Sequence, residues 1–142
     1  MLKGIKVDDL TCNYLKNPLG IDSPPKFSWK LHSKVRGQRQ TAYRLVVAST
    51  RENFEMGIYD AWDTGKVAAS DSVHINYGGI SLSPRTRYWW KVIVYDMEDM
   101  PHESQEAFFE TGKLNERWKA NWITASYIRK EDSAYTAPLL RT

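Results

Sequence analysis

Apolar and polar residues alternate along most of this chain, and no window longer than about ten residues keeps a 3.6-residue period, so strands are expected rather than helices. Ile5 to Leu10 and Thr11 to Leu15 read as the first strand region, closed by the turn signature Asn17-Pro18-Leu19-Gly20. Asp22-Ser23-Pro24-Pro25 is a second break, because the residue before each proline is pushed out of the helical region. Phe27, Trp29 and Leu31 alternate with Ser28, Lys30 and His32 in a half-buried strand. Past the polar, basic loop Ser33 to Arg39, Thr41 to Ser49 forms the next, with Tyr43, Leu45 and Val47 on one face and Arg44, Val46 and Ala48 on the other. Arg51 to Gly57 suits a short helical turn. Trp62 to Val67 and Val73 to Tyr77 read as strands, the second stopped by Gly78-Gly79. Arg87 to Tyr95 is the strongest strand signal, Met97 to Pro101 the turn after it, and Ala107 to Thr111 the last strand. About seven strands at this spacing predict an all-β antiparallel sandwich over residues 1–113.

After Gly112 the pattern changes: Trp118 and Trp122 stand among charged residues, and the stretch to Thr142 is polar. Nineteen residues from Thr124 are too few to bury a core. Residues 114–142 therefore read as a linker and the start of a further β-domain that the chain does not complete.

Composition changes this picture little. The 142 residues are 42% apolar, 26% charged and 13% aromatic, with six Trp and eight Tyr, as suits a globular chain whose thin core is filled by rings. A net charge of +3, with Lys and Arg interleaved among Asp and Glu, lacks the basic stripe that nucleic-acid binding needs. The apolar run around Trp89 to Tyr95 is broken by Lys91 and is too short to span a membrane. Met1 to Ile5 is not the apolar stretch of a signal peptide, so the sequence as it stands reads as cytoplasmic, or as periplasmic or secreted if a leader has been removed. The lone Cys12 cannot form an intramolecular disulfide.

Two resemblances follow from motifs. Leu82-Ser83-Pro84-Arg85-Thr86-Arg87-Tyr88 resembles the tyrosine corner of fibronectin type III domains, in which the tyrosine hydroxyl returns to a backbone group upstream. Trp29 and Tyr43 match core positions of that immunoglobulin-like fold, so Trp29, Tyr43, Leu82, Pro84 and Tyr88 are the residues expected to define it. The collinear segments Asn17 to Asp22, Pro25 to Trp29, Arg36 to Arg44, Trp62 to Val67, Phe109 to Gly112 and Trp118 to Ile123 resemble the N-terminal module of bacterial α-L-rhamnosidases. That resemblance implies a non-catalytic accessory domain of an enzyme that hydrolyses terminal α-L-rhamnosides with inversion on a separate helical barrel. It implies rhamnosylated glycans as substrates of the parent, and neither a metal nor an organic cofactor.

The chain's own chemistry-bearing groups are weighed against that expectation. Inverting glycoside hydrolysis needs two carboxyls about 6 to 10 Å apart across a sugar pocket. Asp8/Asp9, Asp60/Asp63, Asp96/Glu98/Asp99 and Glu103/Glu106 are the candidate pairs, all at loops or strand ends where solvated turn-formers are ordinary. His32, His74 and His102 lack the spacing of a zinc site, and Cys12 has no activating neighbour. The face of the Arg87–Tyr95 strand that carries Trp89, Lys91, Ile93 and Tyr95, with Val46 beside it, is more apolar than an exposed face should be. It is expected to dock against another domain of the parent enzyme or a second copy of the chain, unless long side chains from a loop cover it. Sugar stacking on Trp62, Tyr77 or Trp89 is the rival reading, and a general protein-interaction module a further one.

Overall fold

The computed structural model describes residues 4–123. Within them the elements run β1 (Ile5–Cys12), β2 (Lys26–Ser33), β3 (Ala42–Ala48), α1 (Arg51–Glu55), β4 (Trp62–Asp63), β5 (Ile75–Asn76), β6 (Arg87–Tyr95), β7 (Pro101–Glu103) and β8 (Ala107–Glu110). One sheet has the order β1-β2-β5 and the other β4-β3-β6-β7, with β8 also paired to β6. Every strand pairing is antiparallel. Residues 124–142, where the start of a further β-domain is expected, lie outside the described residues.

The two sheets face each other through rows set by strand alternation. Phe27 and Trp29 of β2, Tyr43, Leu45 and Val47 of β3, and Tyr88, Trp90, Val92 and Val94 of β6 all point into one buried cluster with Phe109. Rings dominate its centre. Phe27 lies 4.6 Å from Trp90 and 5.8 Å from Phe109, and Tyr88 stacks on Phe109 at 5.3 Å. Replacing such a ring by alanine costs about 3 to 5 kcal/mol, because the void cannot fully close. Cys12 is buried in this core, and burial pushes its thiol up to about 12, out of nucleophilic range. The chain is an all-β sandwich, as its alternation predicts, and immunoglobulin-like, as the resemblance to fibronectin type III domains implies.

Some element bounds depart from the sequence reading. The Val73–Tyr77 strand shrinks to Ile75–Asn76, because His74 takes a left-handed backbone with φ 56° and Val73 faces solvent. The Trp62–Val67 strand shrinks to Trp62–Asp63, after which Tyr43 and Val67 are joined only by an isolated bridge. The turn after β6 ends a residue earlier than expected, and Pro101 opens β7, a strand missed in the sequence. Proline is tolerated there because its missing N–H falls at the first residue of an edge strand.

β7 and β8 are one edge strand broken in the middle. Ile93 pairs with Glu103 and Trp90 with Ala107, so the edge strand carries one extra residue. Ser104 repairs the ladder at the break. Its N–H donates to Val92 O at 2.9 Å, and its hydroxyl accepts the Val92 N–H at 3.0 Å in place of a strand carbonyl.

The arch into β6 is built as its motif implies. Tyr88 Oη accepts the Ser83 N–H at 2.9 Å, and Leu82 packs against the core while Pro84 stays exposed. Thr111 fastens the arch from the far side: its hydroxyl accepts from Thr86 N at 3.0 Å and donates to Ser83 O at 2.6 Å. A second buried tether, unmarked in the sequence, runs from Trp29. Its indole N–H donates to Gln40 Oε1 at 3.1 Å, and Gln40 Nε2 donates to the carbonyls of Ala69 and Asp71 at 3.0 and 2.8 Å.

Candidate interaction face

The face expected to dock begins with β3 and β6, whose outward rows are Arg44, Val46 and Ala48, and Trp89, Lys91, Ile93 and Tyr95. In the fold these rows are covered from within the domain. After β3, Thr50 caps α1 by accepting the Asn53 N–H at 3.1 Å, and the helix buries Phe54. Tyr59 follows, 6.1 Å from Phe54, and Lys91 Nζ lies 5.6 Å and 5.8 Å from the Phe54 and Tyr59 rings. Val46 is wholly inaccessible and Ile93 is 8% exposed. The expectation that these two belong to an open apolar face is therefore corrected: the segment between β3 and β4 shields them, as a strand's own alternation cannot reveal.

Trp89 and Tyr95 remain half-buried, each under a cation. Arg51 lies 4.7 Å over Trp89, Lys66 Nζ lies 4.2 Å over Tyr95, and Arg87 lies 4.3 Å over Phe108, itself 5.4 Å from Trp89. Carboxylates hold these cations in place: Glu55 and Glu106 bind Arg51, Glu110 binds Arg87, Asp99 binds Lys66, and Glu103 binds Lys91. A guanidinium over an exposed ring contributes only about 0.5 to 1 kcal/mol, yet it removes the ring face from water and keeps its own charge solvated.

The candidate carboxylate pairs divide among these and similar structural duties. Asp9 binds Lys16 and Lys30, whose hydrogen bonds draw it down to about 2. Asp8 is lowered first by its bond to Lys6. Asp63 holds Arg44 through both oxygens, at 2.9 and 2.6 Å, and lies below the usual carboxylate range because of it. Asp60 is lowered on balance: desolvation raises it, and the Ser49 hydroxyl and N–H outweigh that. Asp96 is buried, accepts from Glu98 N, Met100 N and His102 Nε2 at 2.9, 3.0 and 2.8 Å, and is held low first by His102. A general acid needs the opposite shift, upward by burial or a like charge. These carboxylates are poised as ionised anchors.

The His102 ring also presses on the backbone at Gly4, where any Cβ would collide with it, and the two border a cleft of about 660 Å³ with Val7, Asp96, Met100 and Glu103. His32 and His74 are exposed on β2 and beside β5. Among the described residues no three His, Cys, Asp or Glu side chains converge as metal ligands would, and no helix is long and apolar enough to cross a membrane.

The sugar-stacking candidates separate. Trp62 packs on the core 5.2 Å from Tyr77, and Tyr77 Oη donates to the carbonyls of Ala61 and Ile80. Both rings take part in closing the sandwich, and Trp89 has its face taken by Arg51.

This architecture matches a described family. Residues 7–115 fit the family model for the Rha78A-like, N-terminal immunoglobulin domain. The chain belongs to that family. It is 39% identical over 127 residues to an α-L-rhamnosidase of Streptomyces avermitilis, a match covering 87% of this chain and 12% of the relative. Among solved structures, an α-L-rhamnosidase from Dictyoglumus thermophilum is 45% identical with a TM-score of 0.79, over 84% of this chain and 14% of that one. The Streptomyces avermitilis α-L-rhamnosidase, solved with L-rhamnose, is 38% identical with a TM-score of 0.80, over 86% and 12%. The chain spans 12 to 15% of the length of the curated relatives it matches.

Proposed function

We propose that this chain serves as a non-catalytic accessory domain of an α-L-rhamnosidase, bracing the enzyme against its neighbouring domains while hydrolysis of terminal α-L-rhamnosides takes place elsewhere in the full-length protein. The observation that carries this reading is the match itself: most of this chain corresponds to a small share of enzymes named α-L-rhamnosidase. The carboxylates support it, because in every candidate set at least one carboxylate is already engaged by lysine, arginine, histidine or backbone N–H partners in the sandwich.

The purified chain incubated with an aryl α-L-rhamnoside is expected to give no turnover above buffer, whereas the full-length protein turns the substrate over. Removing residues 1–113 from the full-length protein is expected to lower its melting temperature. Turnover by the isolated chain would overturn the reading, and saturable binding of rhamnose to it would replace an accessory brace with a carbohydrate-binding module.

A further inference from the structure

Beyond β8 the chain stays fastened to the sandwich for a few residues and then leaves it. Leu114 N donates to Asp22 Oδ1 at 3.3 Å, and Glu116 pairs with Arg85 at 3.2 Å. The arm that follows carries the two most exposed large apolar side chains of the described residues, Trp118 at 79% and Trp122 at 103%, with Ile123 beside them at 67%. Together with Ala120 and Asn121, the two indoles line an open cleft of about 360 Å³. The Lys113 ammonium sits 4.6 Å from the Trp118 ring. Arg117 and Lys119 add positive charge, and the single acid of the arm, Glu116, is already engaged with Arg85.

We propose that Trp118 and Trp122 form a two-pronged docking element that takes an apolar side chain, rimmed by carboxylates, from the domain that follows in the same polypeptide. This rests on the reading of the chain as an accessory domain of a longer enzyme. Three observations select this occupant. Indoles are the side chains most often found at the energetic centre of protein interfaces, and here Trp122 is bare and Trp118, although Lys113 approaches its ring, stays 79% exposed, whereas the cation-covered Trp89 on the sheet is half-buried. The rim is positive, so an acidic partner surface complements it. The stretch shared with the Streptomyces avermitilis enzyme covers 87% of 142 residues and so runs through Trp122, past the immunoglobulin domain that ends at residue 115, so the arm lies in sequence matched within a longer enzyme. A sugar is less well matched: its hydroxyls need several converging polar groups that both donate and accept, and beside the two indole N–H donors the side chains of this lining offer only the Asn121 amide.

The test follows the two indoles in the 142-residue chain and in the full-length polypeptide, each labelled with fluorotryptophan, with Trp118→Phe and Trp122→Phe assigning the signals. Both are expected to be open to acrylamide in the chain and shielded severalfold in the full-length protein. A Trp118→Ser/Trp122→Ser variant is expected to leave the melting temperature of the chain unchanged. In the full-length protein it should speed proteolysis between Lys113 and Lys119 by about tenfold, since cleavage follows local opening. Equal quenching in chain and full-length protein, or unchanged proteolysis, would overturn the proposal, as would protection of the indoles in the isolated chain by rhamnose. A parallel rhamnosidase assay separates the two readings. Shielded indoles in an inactive protein keep the docking element and end the rhamnosidase assignment, and open indoles in an active protein do the reverse.

Discussion

The two faces of β6 hide aromatic surface in opposite ways. Tyr88 and Trp90 point inward and are 2% and 1% exposed, closed in by Phe27 and Phe109. Trp89 and Tyr95 point outward, stay half-buried, and are roofed by Arg51 and Lys66 whose charges remain in water. The inner row depends on shape, because a close-packed interior has no atoms to spare for a void. The outer row depends on charge and on long, mobile stems, which can rearrange when one member is lost. Neighbouring tryptophans on one strand should therefore differ widely in what they contribute.

Truncation tests this directly. Trp90→Ala is expected to cost about 3 to 5 kcal/mol, which for a domain of this size lowers the melting temperature by about 15 to 30 °C, read by calorimetry on the isolated chain. Tyr88→Phe keeps the ring and removes its hydroxyl, leaving the Ser83 N–H without its acceptor, for an expected loss of about 1 to 2 kcal/mol in chemical denaturation. On the outer face, Trp89→Ser is expected to cost under about 1 kcal/mol, and the loss should shrink further at high salt as the Arg51–Glu106 pair is screened. A Trp89 loss as large as that of Trp90 would mean that the two faces do not differ in kind.

Acid sharpens the comparison at the end of the strand. Asp96, held low first by its bond to His102, stabilises the fold fully above its ordinary value of 3.8 and loses that contribution as pH falls through the lowered folded value. Asp96→Asn is expected to flatten the acid limb of the stability curve below about pH 4, measured by denaturant midpoints across pH. A limb that keeps its slope would assign acid sensitivity to the surface pairs around Asp9 and Asp63 instead.

β6 was legible to the residue because nine residues of strong alternation lie between a tyrosine corner and a turn. The segments that resemble the rhamnosidase module were legible as a series, and the structure gives several of them fastening duties. Asp63 grips Arg44, Thr64 accepts the Leu45 N–H at 2.9 Å, and Thr111 pins the arch. β7 escaped because three residues opening on a proline carry no period. Gln40 escaped because a buried amide beside the basic loop has no signature until the Ala69 and Asp71 carbonyls arrive from far along the chain. Val46 and Ile93 misled for a similar reason: their cover comes from Phe54 and Tyr59, in a helix and loop whose destination a strand pattern does not encode. Trp118 and Trp122 stand out in the sequence only as indoles among charges and as part of a resemblance, and their exposure emerges from the fold.

The segment before β2 has a consequence for how the molecule is made. Phe108 N donates to Asn17 Oδ1, Glu110 N to Pro18 O, and Ile21 N to Glu110 O, so the outer rim of β8 is sealed by residues from the start of the chain. During synthesis those early residues are waiting at the mouth of the ribosome long before their partner exists. The sandwich cannot close that seam until its last strand emerges, and until then β6 presents an open ladder to any passing strand. The domain thus finishes its own vulnerable edge only when its last strand arrives.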